Sequence, residues 1–430
     1  MTERHKAMFL PGPLHMFRAG GMYYAYELSR DFDMVMVLDW NYQNDPTVQR
    51  LLKTMPCAEV IYLPPYLTTL KRHSYYVELF STLTKRHKPR LVLQHNNNYL
   101  WNMYLFHFAR RAVPDCLRAI YLTGQGFIDA TPFVRLARLE QVDMLNRRFH
   151  LPRALAGFAF DLRMAIYYAL HHAILPVLHV GRRLMPRENY LTAETQWPRR
   201  PGNFDVAFVT HRLNVDFMRE QQHAGTKVEL VAHPSSTIGA RLHAALYGDL
   251  GDGHGIVVLP SNAYALTKMK DEGWTGAETV EYFGALWADA IRRLMKRLPD
   301  YRVLWKLHPS SADDPLMNAV MMRVKQAIPA LEIRDVKESA ELLALANHVL
   351  VSDVSNVLYW SRLFPELLPI SLDIFGVRGG GEMAAYDGIL YINDPSQLDV
   401  KLLEPPTSQE KNLPSFADIV AQHLRAFAQN

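Results

Sequence analysis

The strongest constraint on this chain is a recurring alternation, in which short apolar runs are separated by longer segments with helical spacing. In the first 125 residues the runs AMFL (7–10), MVMVLD (34–39), EVIYL (59–63), RLVLQ (90–94) and AIYLT (119–123) read as strands. The first leads through PGPLHMFRAGG into a helix-like MYYAYELS, and helical patterns at about 69–86 and 99–112 separate the later ones. A strand, a helix and a second strand in succession need a crossover connection, which makes the two strands parallel. The expected fold class is therefore α/β, beginning with a Rossmann-like lobe.

The alternation stops between residues 130 and 200 and then resumes. DVAFVT (205–210), KVELVA (227–232), GIVVLP (255–260), YRVLWKL (301–307), LEIRD (331–335), HVLVSD (348–353) and LLPISLD (367–373) are further strand candidates, with helices expected at about 277–298, 338–346 and 355–364. At 430 residues the chain exceeds what one ordinary hydrophobic core organises, so two lobes are expected. The division reads as an N-terminal Rossmann-like lobe (1–129), a basic aromatic helical segment and linker (130–203), a C-terminal Rossmann-like lobe (204–410) and a closing helix (411–430).

The middle segment is unusual in its charge. Residues 130–200 hold eleven Arg and no Lys against five acids, whereas the whole chain is only +4. Its longest apolar stretch is interrupted by Asp161, Arg163, His171, His172 and Pro176. Charges at such depth cost roughly 3 kcal/mol each on insertion scales, so this is not a membrane span. An interlobe helical pair with a solvated basic face is one reading; peripheral contact with a membrane surface is the other. Nucleic acid is not an expected partner, because the arginines belong to no recognisable reading module. Cys57 and Cys116 are too few for a disulfide framework, and Met1–Lys6 lack the zones of an export signal, so a cytoplasmic location is expected.

Parallel sheets bind ligands beyond the carboxyl ends of their strands, so the residues following each strand are the informative ones. YRVLWKL ends in Lys306-Leu307-His308-Pro309, which leaves a cation and an imidazole at a strand tip. Both can donate to a phosphate. HVLV is followed by Ser352-Asp353-Val354-Ser355-Asn356 and then by helical spacing, so small polar groups and backbone amides precede a helix, an end that favours anions. Ser261 and Asn262 follow GIVVLP and can reach the same ligand. Alone, His-Pro is an ordinary turn and Ser-Asp-x-Ser an ordinary N-cap. Together, at strand ends of one lobe, they suggest a nucleotide-phosphate site.

These pieces, KLHP (306–309), SAELLALANHVLVSDVSNVLYWSRLF (339–364) and VVLPSN (257–262), resemble the C-terminal lobe of bacterial surface-polysaccharide transferases with the GT-B fold. That group includes CDP-glycerol glycerophosphotransferases and transferases using CMP-sialic acid or CMP-Kdo. The resemblance implies a CMP- or CDP-linked donor, with a UDP-linked donor as the alternative, and donor phosphates framed by Lys306, His308, Ser352, Ser355 and Asn356. It covers about 255–400. The chain departs from the pattern at Asn356, where a second serine is usual, and at Tyr359 and Trp360, near which an acid is often found. A Trp-His-Gly typical of the CDP-glycerol enzymes is replaced by Gly124-Gln125-Gly126.

Inverting transfer needs a base near the acceptor hydroxyl, and the strand-end candidates of the first lobe are His95, His15 and Asp39. Asn96, Asn97 and Gln125 are the candidate acceptor contacts, since amides pair well with sugar hydroxyls. No metal-binding signature is present, and no cofactor is expected besides the nucleotide-activated donor. The leading expectation is transfer to a surface glycan or lipid-linked acceptor at the inner face of a membrane. A UDP-sugar transferase, a UDP-N-acetylglucosamine 2-epimerase-like enzyme and a non-catalytic scaffold of a polysaccharide assembly complex are the alternatives.

Overall fold

The computed structural model describes residues 4–12, 14, 17–65, 69–95, 100–122, 142, 144–146, 148–174, 204–212, 214–215, 219, 226–248, 254–260, 273–307, 314–334, 339–344, 348–353, 358, 367–373, 388–402 and 413–429. Chain packing divides them into two units. The first holds the described residues through Pro234 together with Pro414–Gln429, and the second those from Ser235 through Leu413.

In the first unit the elements run β1 (Lys6–Leu10), α1 (Met22–Leu28), β2 (Asp33–Leu38), α2 (Pro46–Thr54), β3 (Cys57–Tyr62), α3 (Thr69–His87), β4 (Leu91–His95), α4 (Leu100–Ala112), β5 (Leu117–Tyr121), α5 (Arg153–Tyr168), β6 (Val206–Val209) and β7 (Lys227–Leu230). The strands form one sheet in the order β3-β2-β1-β4-β5-β6-β7, with every pairing parallel. Central strands read as unbroken apolar runs because helices cover both faces. Ala7, Met8 and Phe9 are fully buried, as are Leu91, Val92 and Leu93. Met8 and Val92 pack with Phe80 of α3 and with Leu105 and Phe106 of α4. α2 begins where Asp45 accepts a hydrogen bond from the Val48 amide and Pro46 fills the first helical position.

DVAFVT and KVELVA were expected to open the later lobe; instead they form β6 and β7 of the first sheet, so the boundary falls at 234/235 and not at 203/204. The physical reason is a polar clip. The Asp205 carboxylate accepts from the Arg118 amide at 3.0 Å, from the Arg118 guanidinium at 2.8 Å and from Arg110 at 2.6 Å, tying the start of β6 to β5 and α4. α5 lies in the basic segment and continues into a π-helical turn at Ala169–Ile174. Among the described residues no helix is long and apolar enough to cross a membrane.

The second unit contains α6 (Ser235–Tyr247), β8 (Gly255–Val258), α7 (Gly276–Arg297), β9 (Arg302–Trp305), α8 (Pro315–Ala327), β10 (Glu332–Ile333), β11 (Val349–Ser352), β12 (Leu368–Leu372), β13 (Leu390–Ile392) and α9 (Leu398–Lys401). Its sheet is also parallel, in the order β10-β9-β8-β11-β12-β13. Trp287 of α7 meets Trp305 of β9 edge to face at 5.5 Å, and Ile256, Val258, Ile291 and Val351 complete the surrounding core. Burying each such aliphatic side chain contributes roughly 1.5–3 kcal/mol. The helix expected at 338–346 is a 3-10 helix over Ser339–Ala344, and the one at 355–364 falls outside the described residues.

The closing helix, α10 (Phe416–Gln429), belongs to the first unit. Phe416 packs edge to face on Tyr24 and on Phe208, each at 4.9 Å, and His423 is hydrogen-bonded to Glu229 of β7 at 2.9 Å.

Candidate functional site

Each sheet has one place where the chain reverses its direction of strand addition, and there the loops from neighbouring strands diverge and open a crevice. In the second unit this switch point lies between β8 and β11, because the chain first builds outward to β9 and β10 and then returns to the other side of β8. Leu259 follows β8 and Ser352 ends β11; the Leu259 amide donates to the Val351 carbonyl at 2.8 Å. Lys306 follows β9 on the other side of β8, its own amide donating to the Val258 carbonyl at 3.1 Å. Lys306 and Ser352 therefore stand two strand spacings apart, roughly 10 Å.

Lys306 is 7% exposed, and its ammonium donates to the Leu307 carbonyl at 3.2 Å. Ser352 is fully buried, and its hydroxyl donates to the Leu259 carbonyl at 2.6 Å. That bond spans the switch point and uses the hydroxyl's single proton, so Ser352 here ties the two strand ends together. The same edge holds a group that sequence reading passed over. Asp373 follows β12, is buried, and accepts a hydrogen bond from the Tyr391 hydroxyl at 2.7 Å. Burial, and next the bond to Asp373, raise Tyr391 above the ordinary phenol range.

In the first unit the switch point lies between β1 and β4. His95, the last residue of β4, is buried there and faces Gly12, just beyond β1. A Cβ at position 12 would lie 2.7 Å from the His95 Cγ, so only glycine lets the backbone pass the imidazole. The Tyr42 hydroxyl donates to the Gly12 carbonyl. His95 also meets Tyr121 edge to face at 5.3 Å, Tyr121 lies 4.5 Å from Tyr24, and Tyr24 lies 5.1 Å from His233. A row of imidazole and phenol rings thus runs along the sheet edge. Burial, followed by the neighbouring phenols of Tyr42 and Tyr24, holds Tyr121 well above its usual range, so it is a neutral donor at physiological pH.

Asp39 is half-buried after β2 and precedes the 3-10 turn Trp40–Tyr42, without capping it by a side-chain hydrogen bond. His15, Asn96, Asn97, Gln125, Ser261, Asn262, His308, Ser355 and Asn356 lie outside the described residues. Of the residues singled out from sequence, the structure brings Lys306 and Ser352 to one edge, and His95 and Asp39 to the edge of the other sheet. Sequence reading missed Tyr121, Asp373 and the buried Thr210, His211 and Asn214 that follow β6. Thr210-His211-Arg212, directly after VAFV, is a legible polar strand end for the first two of the residues after β6, in a strand that the expected division assigns to the other lobe.

Among the described residues no group of three or more His, Cys, Asp or Glu side chains is arranged to hold a metal ion. With a buried imidazole and the neutral Tyr121 phenol at one sheet edge and an ammonium and a carboxylate at the other, the two edges offer proton-transfer groups and charged contacts respectively.

The fold class is α/β with two Rossmann-like lobes, of the GT-B-like kind. Among solved structures it is similar to the UDP-GlcNAc 2-epimerase from Methanocaldococcus jannaschii, with a TM-score of 0.54 and 10% identity over 99% of this chain and 100% of that one. It is also similar to MnaA of S. aureus in complex with UDP, with a TM-score of 0.51 and 10% identity over 99% of this chain and 97% of that one. A further UDP-N-acetylglucosamine 2-epimerase matches with a TM-score of 0.50 and 12% identity over 100% of this chain and 91% of that one. At such identities the likeness is one of fold. No family model and no curated protein sequence matches the chain.

Proposed function

We propose that the chain is an enzyme acting on a nucleotide-activated sugar or polyol, with the donor's phosphates at the second unit's switch point. The supporting observation is the placement of Lys306 and Ser352 at strand ends flanking β8, where a parallel sheet of this topology binds its ligand. In this reading Lys306 supplies a fixed positive charge to the phosphate. His308, Ser355 and Asn356 add donors from the same two loops, and Ser261 and Asn262 contact the nucleoside. Ser352 holds the edge together through Leu259. Fixed donors of this kind stabilise a departing phosphate without a metal ion.

The reaction we favour is transfer to a glycan or lipid-linked acceptor, with His95 as the base that takes the acceptor's hydroxyl proton. His15 and Asp39 are the alternative bases, and Asn96, Asn97 and Gln125 are the proposed acceptor contacts. The strand-end motifs support a CMP- or CDP-linked donor. A second reading, interconversion of a UDP-sugar without any acceptor, draws on the fold shared with the UDP-GlcNAc 2-epimerase of M. jannaschii.

Calorimetric titration with CMP, CDP and UDP separates these readings. Preference for a cytidine nucleotide supports the transferase, preference for UDP together with turnover of UDP-N-acetylglucosamine alone supports the epimerase, and binding of none leaves the non-catalytic scaffold. Lys306→Ala should weaken the preferred nucleotide roughly 10- to 100-fold, as expected for loss of a charge-assisted hydrogen bond. Unchanged affinity in that variant would remove the phosphate site from this edge.

A further inference from the structure

α5 presents large apolar side chains to water along one face. Its large apolar side chains Leu155, Phe158, Leu162 and Ile166 are 55%, 67%, 49% and 58% exposed; among its residues of described burial, Ala156 and Gly157 are buried and Phe160 half-buried. At 100° per residue the four exposed side chains fall within an arc of about 80°. Ala154, Ala159, Ala165 and Ala169, all exposed, widen the same face. An ordinary amphipathic helix turns such a stripe inward, and a contiguous exposed apolar stripe marks a contact surface. From Leu155 to Ile166 it runs about 16 Å along the helix.

We propose that this face seats the protein on an anionic lipid bilayer, with the helix lying in the headgroup layer. The charges around the stripe choose the occupant. Arg163 is exposed at one margin of it and Asp161 at the other, Arg148 is exposed just before the helix, and residues 130–200 together hold eleven Arg against five acids. The Arg148 guanidinium lies 5.5 Å over the ring of Phe149, itself 57% exposed, so a cation and an apolar ring are presented together just before the helix. Guanidinium groups bind phosphate in a bidentate fashion, and the surrounding segment uses arginine alone for its positive charge. A second copy of the chain is the poorer occupant. A standard protein interface recruits roughly 20–30 residues a side, against the four large side chains of this stripe. The helix does not meet the length and apolarity of a span, so it lies on the bilayer and does not cross it.

The test uses the full chain and does not depend on nucleotide binding. Co-sedimentation with vesicles of phosphatidylcholine mixed with phosphatidylglycerol should pull the protein down. Vesicles of phosphatidylcholine alone should do so much less, and added salt should weaken the mixed-vesicle binding. The double variant Phe158→Glu/Leu162→Glu should lower the partition coefficient about tenfold or more. Arg148→Glu/Arg163→Glu should do so by a similar factor, on the mixed vesicles only. Phe158→Trp keeps the bulk of the site, and its fluorescence should be quenched by brominated acyl chains. The proposal is overturned by absence of binding to either vesicle, by binding that survives the Phe158→Glu/Leu162→Glu change, or by a bound tryptophan that bromine does not quench. A dimer that the glutamates dissolve, without vesicle binding, would assign the face to a second copy instead.

Discussion

Gly12 and His95 show how one position can fix a site. The backbone after β1 passes so close to the His95 ring that a methyl group at position 12 collides with the imidazole, which is itself enclosed by Tyr121. Gly12→Ala must therefore push the ring or the strand end aside, at a cost of about 1–3 kcal/mol, the usual range for overpacking a filled site. The urea midpoint should fall accordingly at unchanged slope; an unchanged midpoint would mean that the imidazole rotates away freely. Position 12 stands in a Pro-Gly-Pro run that reads as a loop, so its need for glycine was illegible in the sequence. His95 was legible as the residue ending a strand, and its burial against Tyr121 was not.

At the scale of elements, α7 is the most completely specified helix. Its N-cap, Thr275, accepts from the Glu278 amide at 3.3 Å, and Glu278 accepts in return from the Thr275 amide at 2.8 Å. The Thr275 hydroxyl also donates to the Glu278 carboxylate at 2.6 Å, and this bond, followed by that of the Thr275 amide, holds the Glu278 carboxyl below the usual range. Thr275→Ala should destabilise the second unit by about 1 kcal/mol. Thermal unfolding followed by the near-ultraviolet signal of the Trp287–Trp305 pair would report it. Gly284, further along, lets α8 approach, since a Cβ there would lie 3.0 Å from the Cβ of Arg323. The capping box is written in consecutive residues and could be read from them. The approach of α8 joins residues 39 positions apart and could not.

At the scale of the whole molecule, four buried or half-buried phenols among the described residues set an alkaline limit. Tyr75, Tyr104, Tyr121 and Tyr391 are all raised, with burial the leading cause in each. An unfolded tyrosine ionises near 10, whereas these keep their protons in the folded state, so the unfolded chain binds fewer protons above that pH. Their contribution is complete below about pH 10 and is lost as pH rises beyond it. Urea midpoints should thus be flat in this respect between neutrality and pH 9 and fall steeply above about 10. A midpoint that held at pH 11 would show that these phenols ionise in the native state.

The sequence by itself determined much of the local grammar: most of the strands and the long helices α3, α4 and α7, that the strands are parallel, and which residues stand at their ends, while α2, α6, α8 and β13 went unmarked. α3, α4 and α7 begin and end within a residue of where the spacing places them. Those features follow from contacts a few residues apart, which a pattern records. Only the tertiary structure decided the membership of each sheet. β6 and β7 have the same apolar pattern in either lobe, and it is the Asp205 clip to Arg110 and Arg118 that joins them to the first. Likewise the last helix returns to the first unit through Phe416 and His423. Ser352 reads from the sequence as a phosphate donor, whereas in the fold its hydroxyl donates to the carbonyl of Leu259, 93 residues away. Strand order and hydrogen-bond ownership depend on partners far apart in the chain, and a pattern of neighbours holds no record of them.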